Sequence, residues 1–318
     1  MTVASANPSR QFVRSLRQIV TYGSRWMGAL GRPAAGTALL AVVVWRLGFG
    51  PFRDGIHAVD GRALAAAALL GAVSTVCCAW RWVLVARRNG LTLTFGAAVA
   101  AYYRSVFLNL TLPGGVVGDV HRGVRHGRGA GGAGRALRVV AWERGIGQGV
   151  QAVVTVAVLV LLPSPVGREI PAPAAAAGLA AAAVVASCLF LRSRWRLSWS
   201  ALAGMTAASL VVVGANALMF GVAARTAGVS VPATRLVPLA LVAMLAMVLP
   251  SIAGWGPREG ATAWAFSAAG LGAGAGVATS VVYGVMALVA SLPGAVVLIR
   301  PWVNGVAGAA RRGEAADA

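Results

Sequence analysis

The chain has 318 residues, of which 58% are hydrophobic and only 11% charged, and its mean hydropathy is +0.76. A soluble domain carries about 25% charged residues because its exterior faces water, so this composition excludes an ordinary soluble domain and makes lipid the solvent. The formal charge of +20 and an isoelectric point near 11.9 raise nucleic acid as a partner. All 28 basic residues are arginine, however, and most flank apolar runs, where positive-inside bias and anionic headgroups place them. The expected partners are membrane lipids with anionic headgroups, and not nucleic acid.

Residues 1–32 read as a basic cytoplasmic leader. Arg10, Arg14 and Arg17 recur at helical spacing beside Phe12, Leu16 and Ile19, which fits a short interfacial helix or a solvated leader. No early apolar core marks a cleavable signal. Residues 33–300 read as a single transmembrane domain. Six runs reach the length for a crossing: Pro33 to Gly50, Ala63 to Val85, Val139 to Leu162, Pro173 to Leu191, Ser200 to Ala224 and Val277 to Ile299. Two further stretches, Phe95 to Val124 and Leu236 to Leu271, are each interrupted by a proline and glycine cluster followed by charge. The fold expected is therefore an all-α helical membrane bundle of about six full spans plus two broken or re-entrant segments, arranged as an inverted repeat. Eight full spans are the alternative. Residues 301–318 turn polar and small and read as a disordered cytoplasmic tail.

Arginine supports the six-span reading. If Phe95 to Val124 dips in and returns, the cluster of Arg122, Arg125, Arg128, Arg135 and Arg138 joins Arg87, Arg88, Arg192, Arg194, Arg196 and Arg300 on the cytoplasmic side. The connections Pro51 to Arg62, Pro163 to Ala172 and Arg225 to Arg235 are sparser, and both termini are then cytoplasmic. Cys77, Cys78 and Cys188 lie in apolar runs without metal-ligand spacing and read as buried bystanders.

Only eight acidic residues occur. Asp119, Glu143 and Glu259 sit within or beside apolar segments, where an unpaired charge is costly enough to demand a partner or a polar cavity. The first constellation runs from Asn109 through Pro113, Gly114, Gly115 and Gly118 to Asp119, His121 and Arg122. Pro113 and its glycines stop a helix, and the freed backbone groups survive at membrane depth only against protein or a watery cavity. A helix restarting near Val116 would aim N–H groups at the break and favour an anion such as a lipid phosphate. The second constellation, Leu249-Pro250-Ser251 to Gly254-Trp255-Gly256-Pro257-Arg258-Glu259-Gly260, echoes the first. Paired broken helices in two halves of a chain point to a midplane site in transporters with inverted repeats. Between them stands Trp142-Glu143-Arg144-Gly145, where Glu143 could pair locally with Arg144 or Arg138. Arg81, near a span end, reads as a snorkelling anchor, and Arg104 is isolated within its run. The plain alternatives are a kink with an internal ion pair for the first constellation and coincidence for the echo.

The strings Leu-Pro-Gly-Gly-Val-Val-Gly-Asp-Val-His-Arg, Trp-Glu-Arg-Gly and Leu-Pro-Ser-Ile-Ala-Gly-Trp-Gly-Pro-Arg-Glu-Gly, in this order and spacing, resemble the lysylphosphatidylglycerol synthase transmembrane family. That family includes the flippase-like domain of bacterial multiple peptide resistance factors. The resemblance runs from about Pro33 to Arg300. It implies a lipid-translocating domain of a bacterial-type cell membrane, with Asp119, Arg122, Glu143, Arg258 and Glu259 on the family's charged positions. The full synthases add a soluble aminoacyl-transferase domain, and this chain ends at Ala318, so aminoacylation by this chain alone is not expected.

A lipid flippase is the leading function. Arg122 and Arg258 would hold phosphate, while Asp119, Glu143 and Glu259 would balance charge or hold a cationic substituent. Asn109, Pro113, Gly118, Arg144, Pro250 and Gly256 complete the expected substrate-binding set. The alternatives are a membrane-embedded transferase using Asp119 or Glu259 as base with His121 assisting, or a scaffold whose partner is a separate lipid-modifying enzyme or glycosyltransferase. No cofactor or metal is expected, because no metal-binding histidine cluster or nucleotide-binding glycine motif occurs.

Overall fold

The computed structural model describes residues 45, 49–112, 115–129, 132–162, 199–247 and 255–299. The expected leader and tail, the span Pro173 to Leu191, nearly all of Pro33 to Gly50, and Pro113, Pro250 and Cys188 lie outside them. All nine elements described here are helices: α1 (Gly50–Ala58), α2 (Gly61–Arg88), α3 (Phe95–Thr111), α4 (Val117–Gly129), α5 (Ala133–Leu161), α6 (Trp199–Thr226), α7 (Ala233–Ala246), α8 (Pro257–Ala268) and α9 (Ala273–Ser291).

Among the described residues four helices, α2, α5, α6 and α9, are long and apolar enough to cross a membrane. They cover the runs expected there. Local signals fix their ends: the Asp60 side chain accepts from Ala63 N at 2.8 Å and caps α2, while Arg87 and Arg88 occupy its last turn, where cations suit the negative pole of the helix dipole. The last span is shorter than the apolar run, because α9 stops at Ser291 and helix resumes only over 293–299. Pro293 accounts for the stop, since it supplies no N–H to the turn before it. The connection expected between Pro51 and Arg62 contains a helix, α1, which lays Phe52 against Ala263, Val277 and Val281.

Both stretches read as broken are broken. The first is α3, an interruption that includes residues 112, 115 and 116, and α4. Its arms fold back antiparallel, as the contacts show: Asn109 meets Gly118, Ser105 meets Asp119, and Tyr102 meets Arg122. Gly118 permits this hairpin, since a Cβ there would lie 2.0 Å from the Ser105 carbonyl oxygen. The second is α7, an interruption, and α8, and these arms also pack on one another. With 17, 13, 14 and 12 residues, no arm reaches the roughly 20 needed to span a bilayer.

The order long, short, short, long thus occurs twice, as α2 to α5 and as α6 to α9. The two leading helices run antiparallel. Near the end of α2, Arg81 bonds Ser209 and Trp80 abuts Gly204, whereas Ala63 and Ala67 near its start share a core with Met219, Ala223 and Ala224 near the end of α6. An inverted repeat has this arrangement. The protein is also apolar outside and charged within: Leu69, Val76, Val160 and Leu218 are exposed, while Arg81, Arg122, Glu143, Arg258 and Glu259 are buried.

Candidate functional site

The first break ends in a carboxylate that the hairpin surrounds. Asp119 Oδ1 accepts from Ser105 Oγ at 3.1 Å and Arg122 Nε at 3.0 Å. Its Oδ2 accepts from Asn109 Nδ2 at 2.9 Å and from Arg144 Nη1. The Asn109 carbonyl oxygen in turn takes the Gly118 N–H at 2.7 Å, so the break's own donor is satisfied by a side chain. Asp119 therefore holds α3, α4 and α5 together.

One turn away lies Glu143, with 0% of its surface exposed. Arg81 donates to Oε1 through Nη2 at 2.7 Å and Nε at 3.2 Å, Arg122 donates to Oε2 at 2.8 Å, and the Tyr102 hydroxyl lies 3.1 and 3.0 Å from Oε1 and Oε2. The expected local pairing of Glu143 with Arg144 or Arg138 gives way to this arrangement. Neighbours in sequence point to different sides of a helix, so Glu143 turns inward and Arg144 reaches Asp119 instead. Arg122 links both carboxylates and lies over the rings of Trp82 and Tyr102, at 4.7 and 4.2 Å from their centroids. Arg81, read as a snorkelling anchor, is a buried member of the same network. It also donates to Ser209 Oγ at 2.7 Å and so ties the two halves together.

The second break has a smaller counterpart. Gly256, at φ 109°, takes a backbone conformation that suits glycine, and Pro257 follows at the helix start. Glu259 reaches back to accept the Gly256 N–H at 2.7 Å. Its other oxygen accepts from Arg258 Nη2 at 2.6 Å and Ser280 Oγ at 3.0 Å. Arg258 lies 5.4 and 5.3 Å from the Trp255 and Tyr283 ring centroids. In both halves a glycine on the long closing helix clears room for a guanidinium: a Cβ on Gly147 would lie 2.8 Å from Arg81 Nη2, and one on Gly284 2.6 Å from Arg258 Nη2.

A cavity of about 300 Å³ lies between these clusters. It touches Gly115 and Asn109 at the first break, Met247 at the edge of the second, and Tyr283, the ring beside Arg258. Arg81 and Arg144 are the charged residues on its wall. The expected phosphate ligands stand elsewhere: Arg122 and Arg258 are sealed behind the wall against their carboxylates and rings. Sequence reasoning missed Tyr102, Ser209, Ser280 and Gln151. A signal was present, because Ser74, Thr75, Cys78 and Arg81 on α2, and Arg144, Gln148, Gln151 and Thr155 on α5, recur at spacings of three and four, which is a polar stripe on one helix face. Cys78, read as a bystander, also faces the cavity and receives Arg81 Nη2 at 3.4 Å. Arg104 is buried on α3, and no carboxylate pairs with it among the described residues.

These features define a multi-pass helical membrane protein with a buried ionic core beside a cavity that has arginines on its wall. A family model described as the lysylphosphatidylglycerol synthase TM region matches residues 31–198, more than half of the 318-residue chain. The chain belongs to that family, which ties it to lipid handling in a membrane. The match contains Arg81, Asp119, Arg122, Glu143 and Arg144, while the string carrying Arg258 and Glu259 lies beyond it. No curated protein matches the chain.

Proposed function

We propose that this protein moves the headgroup of an anionic lipid between leaflets, through the cavity that reaches from the first break to the edge of the second. The carrying observation is that cavity: a hollow of mixed polar and apolar lining with two arginines on its wall, inside a bundle whose exterior is apolar. A phosphate carried through hydrocarbon loses its hydration, and fixed donors in a cavity replace it. Arg144 fits this work best. Its side chain is 39% exposed and gives only Nη1 to Asp119, which leaves donors in a planar fork suited to phosphate.

With the C-terminal ends of α4 and α8 taken to lie at the membrane faces, the depth of the two acids fits such a path. Asp119 lies ten residues from the end of α4 and Glu259 nine from the end of α8, or roughly 15 Å at 1.5 Å per residue. That is about half of a hydrocarbon core of roughly 30 Å. Alternating exposure would come from one half rocking on the other. On the arginine distribution both termini lie in the cytoplasm of a bacterial-type cell.

The test is lipid translocation in vesicles holding the purified protein and a fluorescent phosphatidylglycerol, with outer-leaflet fluorescence quenched chemically. The wild type should speed exchange over empty vesicles, and Arg144→Ala should slow it about tenfold, the cost of one charge-assisted contact. Equal rates in protein-free and protein-containing vesicles would remove the proposal. The transferase alternative is less supported, because a general base needs a free oxygen and both Asp119 and Glu259 spend theirs on arginine and other donors.

A further inference from the structure

The family name invokes a lipid whose headgroup carries a lysyl group, and hence ammonium charge. The cavity has chemistry of the opposite kind. Its wall includes no carboxylate among the described residues, only Arg81 and Arg144. The nearest acids lie behind it and are saturated. Each Asp119 oxygen accepts two hydrogen bonds, and Glu143 accepts from two arginines and a tyrosine. A carboxylate offers about four acceptor positions, so Asp119 has none left for an ammonium group. The connected cluster of Arg81, Arg122 and Arg144 with Asp119 and Glu143 has three positive charges against two negative. One positive charge remains.

The rest of the wall mixes uncharged polar groups, among them Thr75, Gln148, Gln151, Asn216 and Ser291, with apolar side chains such as Val106, Leu110 and Val213. Ser74 also lines the cavity, and its buried hydroxyl has no hydrogen-bond partner among the described residues. Amides and hydroxyls of this kind suit a hydroxyl-bearing headgroup, and they offer a cation acceptor oxygens but no full negative charge to set against the arginines.

We infer that the cavity selects an anionic phosphodiester lipid with an uncharged, hydroxyl-bearing headgroup and rejects its aminoacylated, cationic counterpart. The inference rests on the cavity being a headgroup site. Selectivity comes from Arg81 and Arg144, which attract the phosphate and repel ammonium, together with the lack of a carboxylate among the described residues of the wall. A like charge facing an unpaired one is strongly unfavourable in a site removed from water.

The experiment pairs two readouts on the full chain. Binding is measured by native mass spectrometry of detergent-solubilised protein competed with phosphatidylglycerol and lysylphosphatidylglycerol, and translocation of the same two lipids is measured in vesicles. Phosphatidylglycerol should bind at least about tenfold more tightly, equivalent to ~1.4 kcal/mol. Gln148→Glu, which puts a carboxylate on the wall, should narrow or reverse that preference. Equal or tighter binding of the lysyl lipid, or binding of neither, overturns the inference. If the lysyl lipid is preferred and also moves, the translocation reading stands and only the selectivity falls. If phosphatidylglycerol is preferred but neither lipid moves, selectivity stands and translocation falls. An unaltered preference in a Gln148→Glu protein that binds lipid overturns the role given to the missing carboxylate.

Discussion

Glu143 is the residue whose loss should be felt most widely, because it neutralises Arg81 and Arg122 in a place from which water is excluded. Glu143→Gln removes the charge while nearly keeping the shape. Breaking one side of a buried ion pair costs about 3–5 kcal/mol, so the melting temperature of the purified protein should fall clearly. An unchanged melting temperature would mean that the arginines find other partners. Arg81 shows where residue-level reading of the sequence stops. Position near a span end suggested an anchor, but the choice between lipid surface and interior depends on which helix face is covered, and that is decided by α5 and α6. The face was legible in the polar stripe from Ser74 to Arg81; its partners, 62 and 128 residues away along the chain, were not.

The hairpins were the most legible elements, since proline, glycine and an acid at the restart of a helix carry their own local physics. The antiparallel closeness of the first hairpin was less so, because it depends on Gly118 meeting the Ser105 carbonyl. A methyl group at position 118 cannot fit without parting the arms. Gly118→Ala should therefore cost about 1–3 kcal/mol, the usual penalty of overpacking, and should loosen the Asn109 and Ser105 contacts to Asp119. Faster amide hydrogen exchange in α4, with α8 unaffected, would be the sign. Equal exchange in both hairpins would place the tolerance in the backbone of α3. Gly147 and Gly284 illustrate a feature no sequence pattern announced: each is small because an arginine from another element lies against it.

For the molecule as a whole, composition settled the helical membrane bundle, and the paired breaks announced the two halves. The cavity was hidden, because its wall is assembled from α2, α3, α5, α6, α7 and α9, which lie far apart along the chain. Its electrostatics can be sampled through Cys78, a free thiol on the wall beside Arg81. With Cys77 and Cys188 replaced by alanine, a small anionic thiol reagent should modify Cys78 faster than a cationic reagent of the same size, because the arginine field concentrates anions. Added phosphatidylglycerol should slow that reaction. A faster cationic reagent would contradict the charge assigned to the cavity.

The α2 and α6 seam has a consequence for leakage. If rocking occurs about two helices in contact along much of their length, the halves move like a seesaw: widening one mouth narrows the other, and no posture leaves a continuous water column. Ionic current across a membrane containing the protein should then stay at background while lipid crosses, and a steady conductance that rises with protein content would show that the pivot lies somewhere else.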